Sequence, residues 1–93
     1  RALQGDEWAR RYLVDRLHRP LVDARSTLIE TLAAYFASGG SLEATGRALF
    51  VHTNTVRYRL RQVTELTGFS PADPRDALAL QVALILGRQA EQL

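Results

Sequence analysis

The 93 residues suffice for one small domain with a single core, and twelve basic against ten acidic residues give a formal net charge of only +2. Cysteine is absent, which excludes a disulfide framework, a thiolate nucleophile and a cysteine-ligated metal. All the basic residues are arginine, a composition that suits bidentate recognition of phosphate and guanine and is equally typical of a GC-rich genome.

The first predicted element is an amphipathic helix over about residues 6–17. Its broad apolar side carries Trp8, Tyr12, Leu13 and Leu17, and its opposite side carries Arg11, Asp15 and His18. Pro20 marks the end of this helix or a kink in it, because proline cannot continue a regular helix. Residues 1–22 are therefore expected to form an N-terminal helix and a connector. Their mixture of charged and apolar residues is unlike a signal peptide.

A second helix is predicted to begin near Asp23 or Ser26, and residues 27–30 (TLIE) also fit a capping box. It should end at Gly39 and Gly40, because glycine readily adopts the left-handed backbone that stops a helix. Apolar positions along this helix are expected to form a wall for the helices that follow: Leu28, Ile29, Leu32, Ala33, Tyr35 and Phe36.

Residues 41–68 are predicted to form two helices joined by a tight corner, which is the helix-turn-helix pattern. Ser41 is a suitable N-cap for the first helix, because its hydroxyl can accept a hydrogen bond from an orphan backbone N–H. The corner falls at residues 50–52, where Phe50 stands in place of the glycine found in many such turns. A phenylalanine there must avoid a positive φ or bear its steric cost. Gly46 is the small residue at which the two helices are expected to approach closely.

The second helix of the pair, about residues 53–67, is predicted to be capped by Thr53 or Asn54 and ended by Gly68. Its buried side follows from the helical spacing of Val56, Leu60, Val63 and Thr67. The opposite side carries Asn54, Arg57, Tyr58, Arg61 and Glu65. Amide, guanidinium and phenol groups are what a helix needs to address a DNA major groove.

The distribution of charge supports this interpretation of the second helix. No acidic residue lies between Glu43 and Glu65, whereas four arginines do: Arg47, Arg57, Arg59 and Arg61. The positive charge is therefore local, although an arginine-rich helix face that merely meets solvent is the common alternative.

A last helix is predicted after a connector that contains two prolines. Asp73 should cap this helix, which begins at Pro74 and runs to Gly87 or beyond. It is apolar on nearly all sides: Leu78, Leu80, Val82, Ala83, Leu84, Ile85 and Leu86. Such a helix is wrapped by other helices or paired with a second chain, and its apolar run is too short to span a bilayer. Because no strand pattern occurs, the predicted fold is all-α with about five helices.

An enzymatic function is not expected. The two histidines, His18 and His52, have no partner at the spacing of a metal or acid–base site, and Asp15 with His18 is more typical of an exposed salt contact. The glycines are not clustered to cradle a phosphate, and no nucleophile motif occurs. We therefore predict no catalytic residue, metal or cofactor.

The string HTNTVRYRL at residues 52–60, preceded by ALFV, resembles the signature of the C-terminal helix-turn-helix domain of the PucR/CdaR family of bacterial transcription regulators. Residues 28–35 (LIETLAAY) and 65–68 (ELTG) are similar to that family's pattern too, so the resemblance covers most of the chain from residue 28 onward. The family often has a basic residue where this chain has Thr53, so one contact of its relatives is expected to be absent.

The resemblance implies a cytoplasmic, sequence-specific DNA-binding domain over residues 1–93, at the C-terminal end of a longer regulator whose effector, if any, binds outside this chain. Its partner would be double-stranded DNA. The candidate DNA-binding residues are Ser41, Arg47, His52, Thr53, Asn54, Thr55, Arg57, Tyr58, Arg59 and Arg61. Asn54 and Arg57 are predicted to read bases, and the remaining arginines of the set to include phosphate contacts.

A homodimer is expected in the intact protein, because one helix-turn-helix reads few base pairs and this structural class commonly binds two half-sites. The last helix around Leu80, Leu84 and Ile85 is one candidate pairing surface, and the Trp8/Tyr12 side of the first helix is another. The alternative function is a helical protein-interaction or dimerisation module whose arginines meet an acidic partner. Preference for one DNA site over bulk competitor DNA distinguishes the two functions.

Overall fold

The computed structural model describes residues 2–18 and 26–92, with side chains described for residues 7–16 and 27–89. Five α-helices make up most of these residues: α1 (Ala2–Leu13), α2 (Ser26–Ala37), α3 (Leu42–Leu49), α4 (Thr53–Thr67) and α5 (Pro74–Gln92). A π-helical turn, Val14–His18, continues α1. No strand occurs in the described ranges, so the predicted all-α fold of about five helices is confirmed.

The N-terminal part of the chain differs in detail from its prediction. The first helix begins at Ala2 and changes to the π-helical turn at Val14, whereas the sequence predicts one α-helix over about residues 6–17. Pro20 and Asp23 lie outside the described residues. Residues 27–30 lie within α2, so they are not the capping box at its start.

Side-chain caps start two of the helices as predicted. The Ser41 hydroxyl accepts a hydrogen bond from the Ala44 N–H at 3.1 Å and so caps α3. The Asp73 carboxylate accepts from the N–H groups of Arg75 and Asp76, each at 3.0 Å, and so caps α5. Both caps satisfy backbone donors that have no partner within the first turn of a helix.

Glycines end α2 and α4, also as predicted. Gly39 and Gly40 follow α2 with φ of 66° and 83°, and the Gly40 N–H donates to the Tyr35 carbonyl at 2.9 Å. Gly68 ends α4 with φ of 77°, and its N–H donates to the Thr64 carbonyl at 2.8 Å. Only glycine adopts this left-handed conformation without a Cβ clash.

The core is built around α2, which contacts α3, α4 and α5. Four almost fully buried residues form its centre: Leu28 and Leu32 of α2, Val63 of α4 and Leu80 of α5. Five partly buried side chains pack against them: Ile29, Phe36, Leu60, Phe69 and Leu84. Val56 is also fully buried on the same inner side of α4. The predicted buried side of α4 and its support by α2 are therefore confirmed.

The first helix packs against α5 but leaves its aromatic residues in solvent. The sequence predicts that Trp8 and Tyr12 lie on the apolar side of this helix, yet Trp8 is 68% exposed and Tyr12 is 41% exposed. Their rings stack on each other, with 5.9 Å between centroids. The half-buried residues are Leu13, which the sequence also places on the apolar side, and Val14, where α1 passes into the π-helical turn that contacts α5.

The last helix buries one side and exposes another. Leu80 and Ala83 are almost fully buried, whereas Leu78 is 63% exposed and Ile85 is 58% exposed. The chain itself therefore covers only part of this apolar helix. In the described ranges, neither α5 nor any other helix has the length and hydropathy needed to cross a membrane.

Candidate nucleic-acid interface

The corner between α3 and α4 lies at residues 50–52, as predicted. Phe50 ends α3 with φ of 58° and ψ of 42°, which is the left-handed region. The corner is closed by backbone hydrogen bonds, since the Val51 N–H donates to the Gly46 carbonyl at 2.9 Å. Phe50 thus bears the positive φ, which costs a residue with a Cβ roughly 1–2 kcal/mol. Its phenyl ring is 94% exposed, so packing in the described part of the chain does not offset that cost.

Gly46 allows the corner to close on α3. A Cβ on Gly46 would lie 2.7 Å from the carbonyl oxygen of Val51 and 3.7 Å from the backbone nitrogen of Thr53. The sequence predicts a close approach of the two helices at this residue, and the structure places that approach against the backbone of the corner. Because the carbonyl belongs to a hydrogen-bonded turn, it cannot easily move aside for a side chain.

His52 caps α4, so the prediction of Thr53 or Asn54 as the N-cap is wrong. The His52 backbone is extended, with φ of −70° and ψ of 152°, and its Nδ1 accepts from the Asn54 N–H at 3.0 Å. The His52 carbonyl accepts from Thr55 and Val56, at 3.0 and 3.2 Å. Histidine is not among the usual capping residues, which is why the sequence predicts a neighbouring residue as the cap.

The cap also fixes which nitrogen of the imidazole carries a proton. Because Nδ1 of His52 accepts a hydrogen bond, the neutral ring has its proton on Nε2. The His52 side chain is exposed, so this N–H can donate to a group outside the chain. A single histidine thus starts α4 and offers a donor at the same place.

The predicted outward side of α4 faces solvent. The exposed residues on this side are Asn54, Arg57, Tyr58, Arg61 and Glu65. The Arg57 guanidinium donates to the Asn54 amide oxygen at 3.3 Å, so these two groups lie side by side near the start of the helix. Glu65, near the opposite end of α4, is the acidic residue of this side. The first three turns therefore present positive charge and hydrogen-bonding groups.

Two of these arginines also line a surface cleft between α4 and residues 70–72. Arg57 and Arg61 line the cleft from α4, and Tyr35 of α2 is among its other lining residues. No carboxylate lines the cleft. The positive surface of α4 therefore continues around the helix into this cleft.

Arg59 differs from the other arginines of α4, because it faces the protein. It is half-buried, and its Nη1 donates to the Thr31 hydroxyl of α2 at 3.3 Å. Thr31 is fully buried and donates in turn to the Thr27 carbonyl at 2.7 Å. This hydrogen-bonded chain ties α4 to α2. The sequence gives no signal for Thr31, which lies 28 residues away from its partner.

The remaining predicted contacts lie at three places. Arg47, His52 and Thr53 lie together around a surface depression at the corner, close to the start of α4. Thr55 is half-buried on the first turn of α4. Ser41 lies at the opposite end of α3, where its hydroxyl is engaged as an N-cap.

Among the described residues, no group of three or more histidine, aspartate or glutamate side chains could hold a metal.

Comparison with known sequences connects this geometry to a family. Residues 28–86 match the PucR C-terminal helix-turn-helix domain. An uncharacterized protein of Mycobacterium tuberculosis is 54% identical over 88 residues, covering 95% of this chain and 21% of its own length. The carbohydrate diacid regulator of Escherichia coli is 40% identical over 93 residues, covering 95% of this chain and 23% of its own length. The chain thus spans about a fifth of the length of these relatives.

A solved structure shares both the fold and the sequence pattern. The crystal structure of a regulator of polyketide synthase expression from Bifidobacterium adolescentis superposes with a TM-score of 0.88 and 40% identity. The match covers 97% of this chain and 38% of that one. The arrangement of five helices described above is therefore also that of a bacterial regulator.

Proposed function

Because the chain belongs to the family of PucR C-terminal helix-turn-helix domains, we propose that it binds a specific DNA sequence by inserting α4 into the major groove. The observation that carries this proposal is the outward side of α4, where Asn54, Arg57, Tyr58 and Arg61 are exposed and the acidic Glu65 follows only near the opposite end of the helix. Bases are read by bidentate amide and guanidinium groups, and phosphates by arginine and tyrosine. The side carries each of these groups within three helical turns.

The positions along α4 suggest how the roles divide. In a docked helix-turn-helix, residues at the start of the second helix contact base edges. Because Asn54 and Arg57 occupy that start, we assign them to base readout. Their hydrogen bond to each other holds the two side chains together there. Tyr58 and Arg61 lie further along the exposed side, and we assign them to phosphates. The Nε2–H of His52 is a further phosphate donor at the corner.

Arg59 has a different place in the proposal. Its hydrogen bond to Thr31 and its half-buried side chain support a role in holding α4 against α2. Arg47, which is exposed on α3 beside the corner, is the better candidate for a phosphate contact. The Escherichia coli relative is named for carbohydrate diacids, and we carry no effector over from it to this chain.

Selection of bound sequences from a random duplex pool tests the proposal. A DNA reader enriches one sequence and keeps it against bulk competitor DNA, whereas a protein-interaction module enriches none. A pool that remains random after repeated selection would reject sequence-specific binding.

Alanine variants of α4 then test which residues read the selected site. Asn54→Ala or Arg57→Ala is expected to weaken specific binding by ~1–3 kcal/mol, the usual contribution of a side chain that reads a base. Both side chains are exposed, so the melting curve should stay close to that of the parent. Gln81→Ala and Arg75→Ala are matched controls, because they remove an amide and a guanidinium from exposed positions of α5. Parent-like affinity of both α4 variants would exclude α4 as the reader.

A further inference from the structure

Phe50 combines two unfavourable features at the corner of the helix-turn-helix. It is the non-glycine residue with a positive φ in the described part of the chain, and its large apolar side chain is 94% exposed. Glycine at this place would remove both costs. Strained backbone at a residue that contributes no packing is typical of a functional position. Such an exposed ring is expected to meet a group outside the described part of the chain.

The ring borders the place where the proposed DNA contact begins. Phe50 lines a surface depression together with Arg47, His52 and Thr53, which lead directly into α4. Arg47 and His52 are the hydrogen-bond donors of this depression that suit a phosphate, whereas a phenyl ring offers no hydrogen bond to a phosphate oxygen. The partner that fits is thus an apolar group on a base edge, next to the groove that α4 occupies.

The major groove presents one such group, the C5-methyl of thymine, and phenylalanine is among the side chains that contact it. Resting on the proposed function, we propose that Phe50 packs its ring against the methyl group of a thymine in the DNA site. The left-handed backbone at the end of α3 holds the ring outside the protein, where a base edge can reach it. Phe50 then contributes to specificity beside the polar readers Asn54 and Arg57.

Replacement of single thymines by deoxyuridine in the selected site tests this contact, because it removes the methyl group and keeps every hydrogen-bonding group. At one thymine, the parent should lose about four-fold in affinity, the effect of one buried methyl group (about 0.8 kcal/mol). Phe50→Gly and Phe50→Asn should bind the thymine and deoxyuridine sites equally well at that position. Asparagine keeps a side chain that tolerates the left-handed region, so it separates loss of the ring from release of the backbone.

Leu78→Ala serves as the control, since it removes another exposed apolar side chain and should keep the four-fold discrimination. Melting curves establish that both Phe50 variants are folded. If the variants discriminate thymine from deoxyuridine as the parent does, or the parent discriminates at no thymine, the contact is refuted while the DNA site stands. If the ring contacts a partner protein instead of DNA, the parent will discriminate at no thymine, which also refutes the contact. If no site is selected, the proposed function fails first and this contact fails with it.

Discussion

At the scale of single residues, Gly46 is a position at which one added carbon would meet the protein backbone. Alanine normally stabilises a helix interior by roughly 0.5–1 kcal/mol relative to glycine. At Gly46, however, the new Cβ would meet the Val51 carbonyl oxygen at 2.7 Å. Overpacking of this kind costs about 1–3 kcal/mol. We therefore expect Gly46→Ala to lower the free energy of unfolding by about 1–2 kcal/mol, measured by urea denaturation.

The sign of the change in unfolding free energy separates helix propensity from overpacking. Ala48 is exposed on the same helix, so Ala48→Gly should show the propensity effect alone, a loss of roughly 0.5–1 kcal/mol. A Gly46→Ala variant that is more stable than the parent would show that helix propensity dominates and that the corner can move away from α3.

Residue roles in the candidate site are predictable where they follow from the helical period. The outward positions Asn54 and Arg57 are of this kind, because the spacing of the buried residues fixes the opposite side of α4. The inward orientation of the Arg59 side chain cannot be predicted in this way, since its partner Thr31 lies on another helix. The cap at His52 escapes prediction for a chemical reason, because imidazole accepts a hydrogen bond only through its unprotonated nitrogen.

At the scale of elements, the start of α4 depends on that imidazole cap. His52→Ala removes the acceptor for the Asn54 N–H and should lower the free energy of unfolding by about 1 kcal/mol, the usual loss for a helix N-cap. His52→Asn supplies an amide oxygen in its place and should keep most of the stability. Thermal and urea unfolding of both variants measure the effect.

Asn54→Ala is the matched control for the cap, because Asn54 is exposed and was the alternative capping residue. It should change stability by less than about 0.5 kcal/mol, as surface substitutions usually do. Equal stability of His52→Ala and the parent would mean that water replaces the imidazole without loss.

The salt dependence of DNA binding distinguishes arginines that contact phosphate from an arginine that holds two helices together. Replacing a residue that contacts phosphate weakens binding to all sequences alike and reduces the salt slope by about one unit. We expect this for Arg47→Ala and Arg61→Ala, whose side chains are exposed. Arg59→Ala should change the slope less and lower stability more, because its guanidinium bonds to Thr31. Binding titrations between low and moderate salt give the slopes.

Arg75→Ala, on α5, provides the control for loss of one charge away from the corner. An unchanged salt slope for the alanine variants of Arg47, Arg59 and Arg61 would count against the proposed docking, whatever the affinity of the site.

Three helix ends of this fold follow directly from the sequence. The caps at Ser41, Gly68 and Asp73 each depend on residues adjacent in the sequence, so local chemistry suffices to locate them. The exposure of Trp8 and Tyr12 could not be predicted in this way. It depends on which side of α1 meets α5, and the hydrophobic period alone does not identify that side when a helix packs on one neighbour.

At the scale of the whole molecule, the structure narrows the surfaces on which two copies could pair. Leu80 is buried in the core and Leu84 packs against it, so only part of the predicted surface on the last helix remains available. Leu78 and Ile85 are exposed there, and Trp8 and Tyr12 are exposed on α1. Because five helices use most of their apolar surface to close one small core, we expect only weak self-association of these 93 residues.

Sedimentation across a concentration series measures that association. We expect a monomer at submicromolar concentration, and a dimer on DNA only when the longer regulator supplies further contacts, with half-sites about one helical turn apart. A tight submicromolar dimer of this domain would place the pairing surface within it. Leu78→Ala and Trp8→Ala would then show which of the two exposed surfaces is responsible.

The position of Trp8 has a consequence for how this domain can be observed. It is the single tryptophan of the chain, and its ring lies in water on α1, stacked on Tyr12 and outside the core cluster. Indole emission follows the polarity around the ring, so the intrinsic fluorescence should stay nearly constant while the core opens or α4 takes up DNA. A blue shift would instead report a surface closing over α1. The natural fluorophore therefore senses contact at the N-terminal helix, and a second indole is needed to follow α4.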